Sequence, residues 1–252
     1  MKIIELESDI LVYQFTPDIK NSAIGLNIFV VVNNNECIVI ETGYKEFLLE
    51  VLEDLKNRGI SVSKVIQTHF HPDHIGGLPL IKGVEIIGSI YAQSTLKTYT
   101  KDFVQYFPTV VVVDHKTFKF GRHTFNLELN KGHSIDGLLI TLNNKYMFVG
   151  DDIILDNNGN ASIPFCSLGD TQAHINSLNK ILSKVSDKTI LPTHGSPLVG
   201  KDIIITDLIN RLTYLHFIKE NTKASYEDFH NETNISFVGR DWHVLKKIEE
   251  VE

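Results

Sequence analysis

Apolar and polar positions follow two rhythms along the chain, and each change of rhythm marks an element. Residues 26–32 (LNIFVVV) form an apolar, β-branched run, three asparagines at 33–35 punctuate it, and residues 36–41 (ECIVIE) resume the same character. That pattern predicts a β-hairpin. Over residues 45–58 the side chains of Phe47, Leu48, Val51, Leu52 and Leu55 fall at helical spacing, with Gly59 placed to stop the helix. Residues 62–67 (VSKVIQ) read as a short strand running into Thr68-His69-Phe70-His71-Pro72-Asp73-His74. A strand that ends in polar groups ahead of a helix is where α/β proteins place their chemistry.

The second half repeats this plan. Residues 138–142 (LLITL) and 145–149 (KYMFV) flank Asn143-Asn144 as another hairpin, and Gly150-Asp151 follows it where Glu41-Thr42-Gly43 follows the first. A helix over 171–185, with Ile175, Leu178, Ile181, Leu182 and Val185 on one face, leads to a strand at 189–191 and then to Pro192-Thr193-His194-Gly195. This echo predicts two similar halves, approximately 1–120 and 121–252, packed so that their strand ends meet at one cleft. Further strands are expected at 85–87 and 110–113, a hairpin over 118–129, an amphipathic helix over 201–219, loop or frayed helix at 220–232 and a short helix at 241–251. No Pro/Ser-rich linker interrupts the chain, so 1–252 reads as a single domain.

Composition narrows the class without naming it. Of 252 residues, 42% are hydrophobic and 22% charged, the balance of a folded globular protein. No run of about 18 apolar residues occurs, and the first residues, MKIIELESD, carry acids where an export signal needs an apolar stretch, so neither membrane association nor secretion is expected. Cys37 and Cys166 stand alone, which offers no disulfide framework and suits reduced cytoplasmic thiols. Twenty-four Lys and Arg against 31 Asp and Glu, a net charge of −7, oppose broad nucleic-acid binding and leave a small-molecule substrate as the expected partner. A homo-oligomer is compatible with all of this.

Histidine carries the chemical signal. Eleven are present, and His69, His71 and His74 crowd with Asp73 into six residues. In an extended segment His69 and His71 point the same way, and a turn after Pro72 swings Asp73 and His74 toward a second position. Imidazole and carboxylate are the donors zinc takes at catalytic sites. Gly132-His133-Ser134 and Thr193-His194-Gly195 each add an imidazole among small residues, and Asp151 adds a carboxylate able to bridge.

In order, His69-Phe70-His71-Pro72-Asp73-His74, Gly132-His133-Ser134, Gly150-Asp151 and Thr193-His194-Gly195 resemble the metallo-β-lactamase-fold hydrolase superfamily over about residues 20 to 200. The resemblance implies an α/β fold, an αββα sandwich of two pseudo-repeated halves. It implies a first metal held by His69, His71 and His133, a second by Asp73, His74 and His194, and Asp151 bridging both. The cofactors would be two divalent ions, zinc by donor type, with iron or manganese as alternatives. Two such ions, two carboxylates and one hydroxide leave about +1 on the site. A bridging hydroxide would then attack a carbonyl, with Asp73 handling the proton. Glu41 stands where the family usually has Asp, as an acceptor that orients a ligand histidine.

Small-molecule ester, lactone or thioester hydrolysis is the favoured reaction. The other readings are a mononuclear iron redox enzyme of the persulfide-dioxygenase kind, or a β-lactamase or phosphodiesterase/nuclease of the same superfamily. His115, His123, His174, His216, His230 and His243 lack ligand-like neighbours, and Asp152 reads as a cap or outer partner of the site. Trp242 reads as core. Residues 153–171, polar and Gly-rich, read as a long loop that could close over the substrate through Ile163, Phe165 or Cys166, with 15–27 as another wall.

Overall fold

The β-branched runs pair into two sheets that meet face to face. The computed structural model describes residues 1–16, 24–101, 104–165 and 170–243. Its first sheet holds seven strands in chain order: β1 (Lys2–Glu7), β2 (Ile10–Phe15), β3 (Leu26–Asn33), β4 (Glu36–Ile40), β5 (Ser61–Ile66), β6 (Glu85–Ser89) and β7 (Val110–Val112). Pairing is antiparallel from β1 to β4 and parallel from β4 to β7. The second sheet comprises β8 (His115–Phe120), β9 (His123–Leu129), β10 (Leu138–Leu142), β11 (Tyr146–Ile154) and β12 (Thr189–His194), antiparallel except for the parallel β11–β12 pair. The chain passes between sheets after Val112, so β8 belongs to the second sheet although 1–120 was the expected first half.

Alternation along each strand sorts the side chains into layers. Ile10, Phe29, Ile38 and Ile66 of the first sheet face Phe125, Ile140, Phe148 and Leu191 of the second in one buried cluster. The outer faces are covered by helices. Leu48, Val51 and Leu55 of α1 (Lys45–Asn57) pack on the first sheet, and α4 (Thr171–Lys184) and α5 (Lys201–Glu220) pack on the second through Ile175, Leu178, Ile204 and Leu208. The layers therefore run helix, sheet, sheet, helix. The remaining helices are α2 (Pro72–Ile75), α3 (Ala92–Tyr99) and α6 (Tyr226–Thr233). Among the described residues no helix is long and apolar enough to cross a membrane. Cys37 is buried in β4, where desolvation pushes its thiol up to about 12.

Several elements differ from the sequence reading. β11 extends through Asp151 to Ile154, so residues 153–171 do not begin as a loop; Ile153, Leu155 and Ile163 are buried, and Ile163 is a core residue rather than a substrate contact. Residues 220–232 contain α6, nucleated by a capping box in which Ser225 and Asp228 satisfy each other's backbone N–H groups. Of the helix expected at 241–251, only 241–243 fall within the described residues, and Cys166 falls outside them.

Candidate metal centre

Parallel pairing brings the C-terminal ends of β4, β5, β11 and β12 to one edge, and every donor named from the sequence sits there or in a loop beside it. His69 and His71 follow β5 in extended backbone. Pro72 then occupies the first turn of α2, where its missing N–H costs nothing, and this single turn rotates Asp73 and His74 away from the preceding pair. His133 lies between β9 and β10, Asp151 within β11, and His194 at the end of β12. The edges are stitched together: Leu138 N–H donates to Thr68 C=O (2.7 Å), and the buried Asn27 amide donates to Pro192 C=O (3.0 Å) and Gly195 C=O (2.7 Å).

The seven side chains form two groups, His69–His71–His133 and Asp73–His74–Asp151–His194, the donor atoms of each lying within 4.8 Å of one another. His69 Nε2 and His133 Nε2 approach His71 Nδ1 at 3.0 and 3.1 Å. One ring nitrogen has one in-plane site and cannot bond to both, so three converging nitrogens suit a shared cation. Asp151 reaches both groups: its Oδ2 is 3.7 Å from His133 Nε2 and 3.4 Å from His194 Nε2, its Oδ1 3.3 Å from His74 Nε2. Asp73 Oδ2 is 3.3 Å from His194 Nε2. His74 Nε2 and Asp151 Oδ1 are buried with no well-formed hydrogen bond, although nearly all buried polar atoms have one. Orphaned donor atoms in a hard and borderline O/N set fit divalent metal, zinc included.

Outer hydrogen bonds hold the rings with their candidate ligand nitrogens inward. His74 Nδ1 meets Glu41 Oε2 at 3.0 Å, and Glu41 Oε1 accepts from Thr68 N–H (3.0 Å). The longer Glu41 thus reaches its histidine, from a left-handed backbone (φ 66°) that is costly for a residue with a Cβ. His133 Nδ1 lies 2.7 Å from Phe165 C=O, His194 Nδ1 2.7 Å from Gly25 C=O, and His69 Nδ1 3.2 Å from Thr68 Oγ1. Asp152 Oδ1 accepts the His133 backbone N–H (2.9 Å), and its Oδ2 accepts from Asn130 (2.7 Å), while burial pushes its carboxyl up to about 6. It is an outer partner, as the sequence suggested. Gly132 makes this possible, since a Cβ there would overlap Asp152 Oδ1 and lie 2.5 Å from Ser177 Cβ.

Charge divides the two groups. Burial, with the neighbouring imidazoles, pushes His69 well below the ordinary range and His71 to about 3, and burial also lowers His133. Those rings are neutral, the form that binds metal. Burial opposes charge on His74 and His194 too, but Asp151 and Asp73 outweigh it, lifting His74 well above its usual value and His194 to about 10. The same contacts, against burial, hold Asp73 at about 2 and Asp151 well below the carboxylate range.

A cavity of about 700 Å³ opens over five of the seven side chains, His71, Asp73, His133, Asp151 and His194. Its walls include Leu26, Tyr44, Phe47, Tyr99, Phe165 and Trp242, and no Lys or Arg is among the described residues that line it. Trp242, expected in the core, is half-buried: it packs against the core cluster of the second sheet and also lines this cavity. Tyr99, from the unforeseen α3, meets the His71 ring at 4.9 Å. Asp136 also went unnoticed: its buried carboxylate accepts from Phe70 N–H (3.0 Å) and Ser134 Oγ–H, tying the His69 loop to the His133 loop. Its only signal was its place two residues after Ser134. Of the six histidines given no ligand role, His123, His174 and His243 are buried rather than on surfaces, and none of the six lies in either donor group.

A two-sheet sandwich with clustered histidines and aspartates at one edge defines a class, and the comparison with known families places the chain within it. Residues 24–194 match the metallo-beta-lactamase superfamily, and the chain belongs to that superfamily. It is 33% identical over 135 residues to the lactamase-like protein notP of Aspergillus sp. (strain MF297-2), covering 52% of this chain and 39% of that protein. It is 26% identical over 193 residues to the atrochrysone carboxyl ACP thioesterase AacuM of Aspergillus aculeatus, covering 74% and 56%. The chain thus spans between about two fifths and three fifths of these relatives' lengths. Among solved structures, a metallo-beta-lactamase from Pontibacter korlensis superposes with a TM-score of 0.68 at 18% identity, over 85% of this chain and 98% of that one. That likeness establishes the fold.

Proposed function

We propose that this protein is a metal-dependent hydrolase of small acyl thioesters, with esters and lactones as chemical neighbours. The observation that carries the reading is the cavity: five of the seven candidate donors line its floor, and its walls, Glu46 apart, are apolar and aromatic without a lysine or arginine among the described residues. Among the described residues a phosphodiester or a carboxylate-bearing β-lactam would find no lysine or arginine there, whereas a neutral acyl group buries well. Several relatives are named thioesterases. The leaving group fits as well: a thiol of pKa near 8.5 departs as thiolate without a strong acid beside it, while an alkoxide or amine needs a proton.

The two donor groups would hold two divalent ions, His69, His71 and His133 one, Asp73, His74 and His194 the other, with Asp151 between. Such ions, once bound, supply Lewis acidity and water activated near neutral pH. The chain's residues do the rest. Glu41, Gly25 C=O and Phe165 C=O fix the imidazole orientations, and the aromatic walls exclude bulk water and orient the acyl group. Asp73, partly exposed at the cavity floor, would take the proton lost by attacking water on the carboxylate oxygen turned away from His194 and release it to solvent, while the thiolate departs unprotonated.

The test loads the protein with Zn(II), Mn(II) or Fe(II), counts metal by mass spectrometry, and follows thiol release from N-acetylcysteamine thioesters beside a lactone, a β-lactam and a phosphodiester. Thioester cleavage with two ions bound is expected. Failure of every acyl substrate, or one coloured iron with oxygen uptake, would overturn the reading in favour of redox chemistry.

A further inference from the structure

The family match ends at residue 194, yet the cavity has a wall built from residue 242. Several bonds fix that wall. Ser162 bridges Val238 in parallel fashion, with Ile163 N–H donating to Val238 C=O (3.0 Å) and Val238 N–H to Ala161 C=O (2.9 Å). The Arg211 guanidinium of α5, fully buried, donates to Ser162 C=O (3.0 Å) and Ile154 C=O (2.9 Å), locking the stretch after Asp151 against the helix. His243 is pinned on both sides, Nδ1 to Tyr214 Oη and Nε2 to Ala224 C=O, each at 2.9 Å. Gly239, at φ 73°, turns the chain so that Trp242 N–H reaches Gly239 C=O (3.0 Å). With His243 anchored in the core, the neighbouring indole is presented to the cavity.

From there aromatic contacts step down to the site. The Trp242 and Phe165 rings have centroids 5.8 Å apart at 53°, and Phe165 lies 5.9 Å from the His133 ring at 52°. Tyr99 stands edge-on to His71, the other imidazole of the same group that lines the cavity. Flat rings at tilted angles around an apolar space match the offset and edge-to-face geometry that further aromatic rings prefer.

We infer that Trp242 and Phe165, in contact with each other, line one side of a slot selective for planar aromatic acyl groups, and that Trp242, from beyond the family-matched region, sets the acyl preference. The inference deepens the thioesterase reading and rests on it for the reaction. An aromatic acyl group in the slot places its carbonyl over the His69–His71–His133 group. A short aliphatic acyl group reaches the donors without touching the indole.

Trp242 is the sole tryptophan in the chain, so its fluorescence reports the slot directly. Metal-free and zinc-loaded protein are titrated with the non-hydrolysable thioether analogue of a naphthoyl thioester and with its acetyl counterpart. Saturable quenching or a blue shift by the naphthyl compound alone is expected. In kinetics, Trp242→Ala should lower kcat/KM for the naphthoyl thioester about tenfold, mainly through KM, lower it for the acetyl thioester by a clearly smaller factor, and be rescued by Trp242→Phe. Equal loss for both substrates, or no fluorescence response to the naphthyl ligand, overturns the slot. Selective quenching without any thioester cleavage instead supports the slot and refutes the proposed reaction.

Discussion

Gly132→Ala probes the join between core and site most directly. The added methyl would overlap Asp152 Oδ1 and meet Ser177 at 2.5 Å, and both neighbours are buried, so neither can retreat into solvent. Overpacking of this kind costs about 2 kcal/mol. Moving Asp152 also weakens its bonds to His133 N–H and Asn130, adding about 1 kcal/mol. At about 2–4 °C per kcal/mol for a chain of this size, the melting temperature of the metal-free protein should fall by about 6–12 °C. His133 loses its backbone anchor in the same step, so zinc affinity should fall about 10- to 100-fold, the usual effect of removing an outer partner. Scanning calorimetry in chelator gives the first quantity and competition with a chromophoric zinc chelator the second. An unchanged melting temperature would show that the Gly132 cradle is not tight, and a large thermal loss with unaltered affinity would show that Asp152 does not support His133.

Three other outcomes are expected. Asp151→Ala should bind fewer ions by elemental analysis and lose turnover at least 1000-fold, as the carboxylate spans both donor groups; full activity would remove the two-ion proposal. Arg211→Met should destabilise the fold by about 3–5 kcal/mol in urea unfolding, because it leaves two carbonyls and Asp207 without their buried donor; a loss under about 1 kcal/mol would contradict the clamp. The Arg122 hydrogen bond, opposed by burial and aided by His123, holds Asp9 below its ordinary 3.8. A carboxyl lowered in the folded state stabilises above its unfolded value and ceases to as pH falls through the folded one. The stability gap between wild type and Asp9→Asn should thus be constant above about pH 4 and shrink below it in urea titrations; a gap that widens in acid would refute the sign.

Much of the frame was legible because its elements are short and clearly punctuated. The hairpins of β3–β4 and β10–β11, buried on both faces, announce themselves as apolar runs broken by asparagines, and the helices α1, α4 and α5 by the spacing of their buried residues. The candidate donors were legible because six of the seven sit beside glycine, proline or threonine and three imidazoles crowd into residues 69–74, and the structure brings all seven together. What escaped depends on partners distant in sequence. The β1 strand is half-exposed and the α3 helix buries only Ala92, Thr95 and Leu96, so neither carries a strong pattern. Asp136 is meaningful only because Phe70 arrives beside it from another sheet. Trp242 resembles any core tryptophan until His243, Tyr214 and Gly239 are seen to turn it outward.

The chain's division at residue 194 has a practical consequence. The seven candidate donors all lie within residues 24–194, whereas Trp242 comes from beyond them and is tied to the donor-bearing stretch by Arg211 and a pair of backbone bonds. Diversifying residues 235–242 would therefore retune which molecules are accepted while the reactive floor stays intact, a modular arrangement open to grafting and directed evolution.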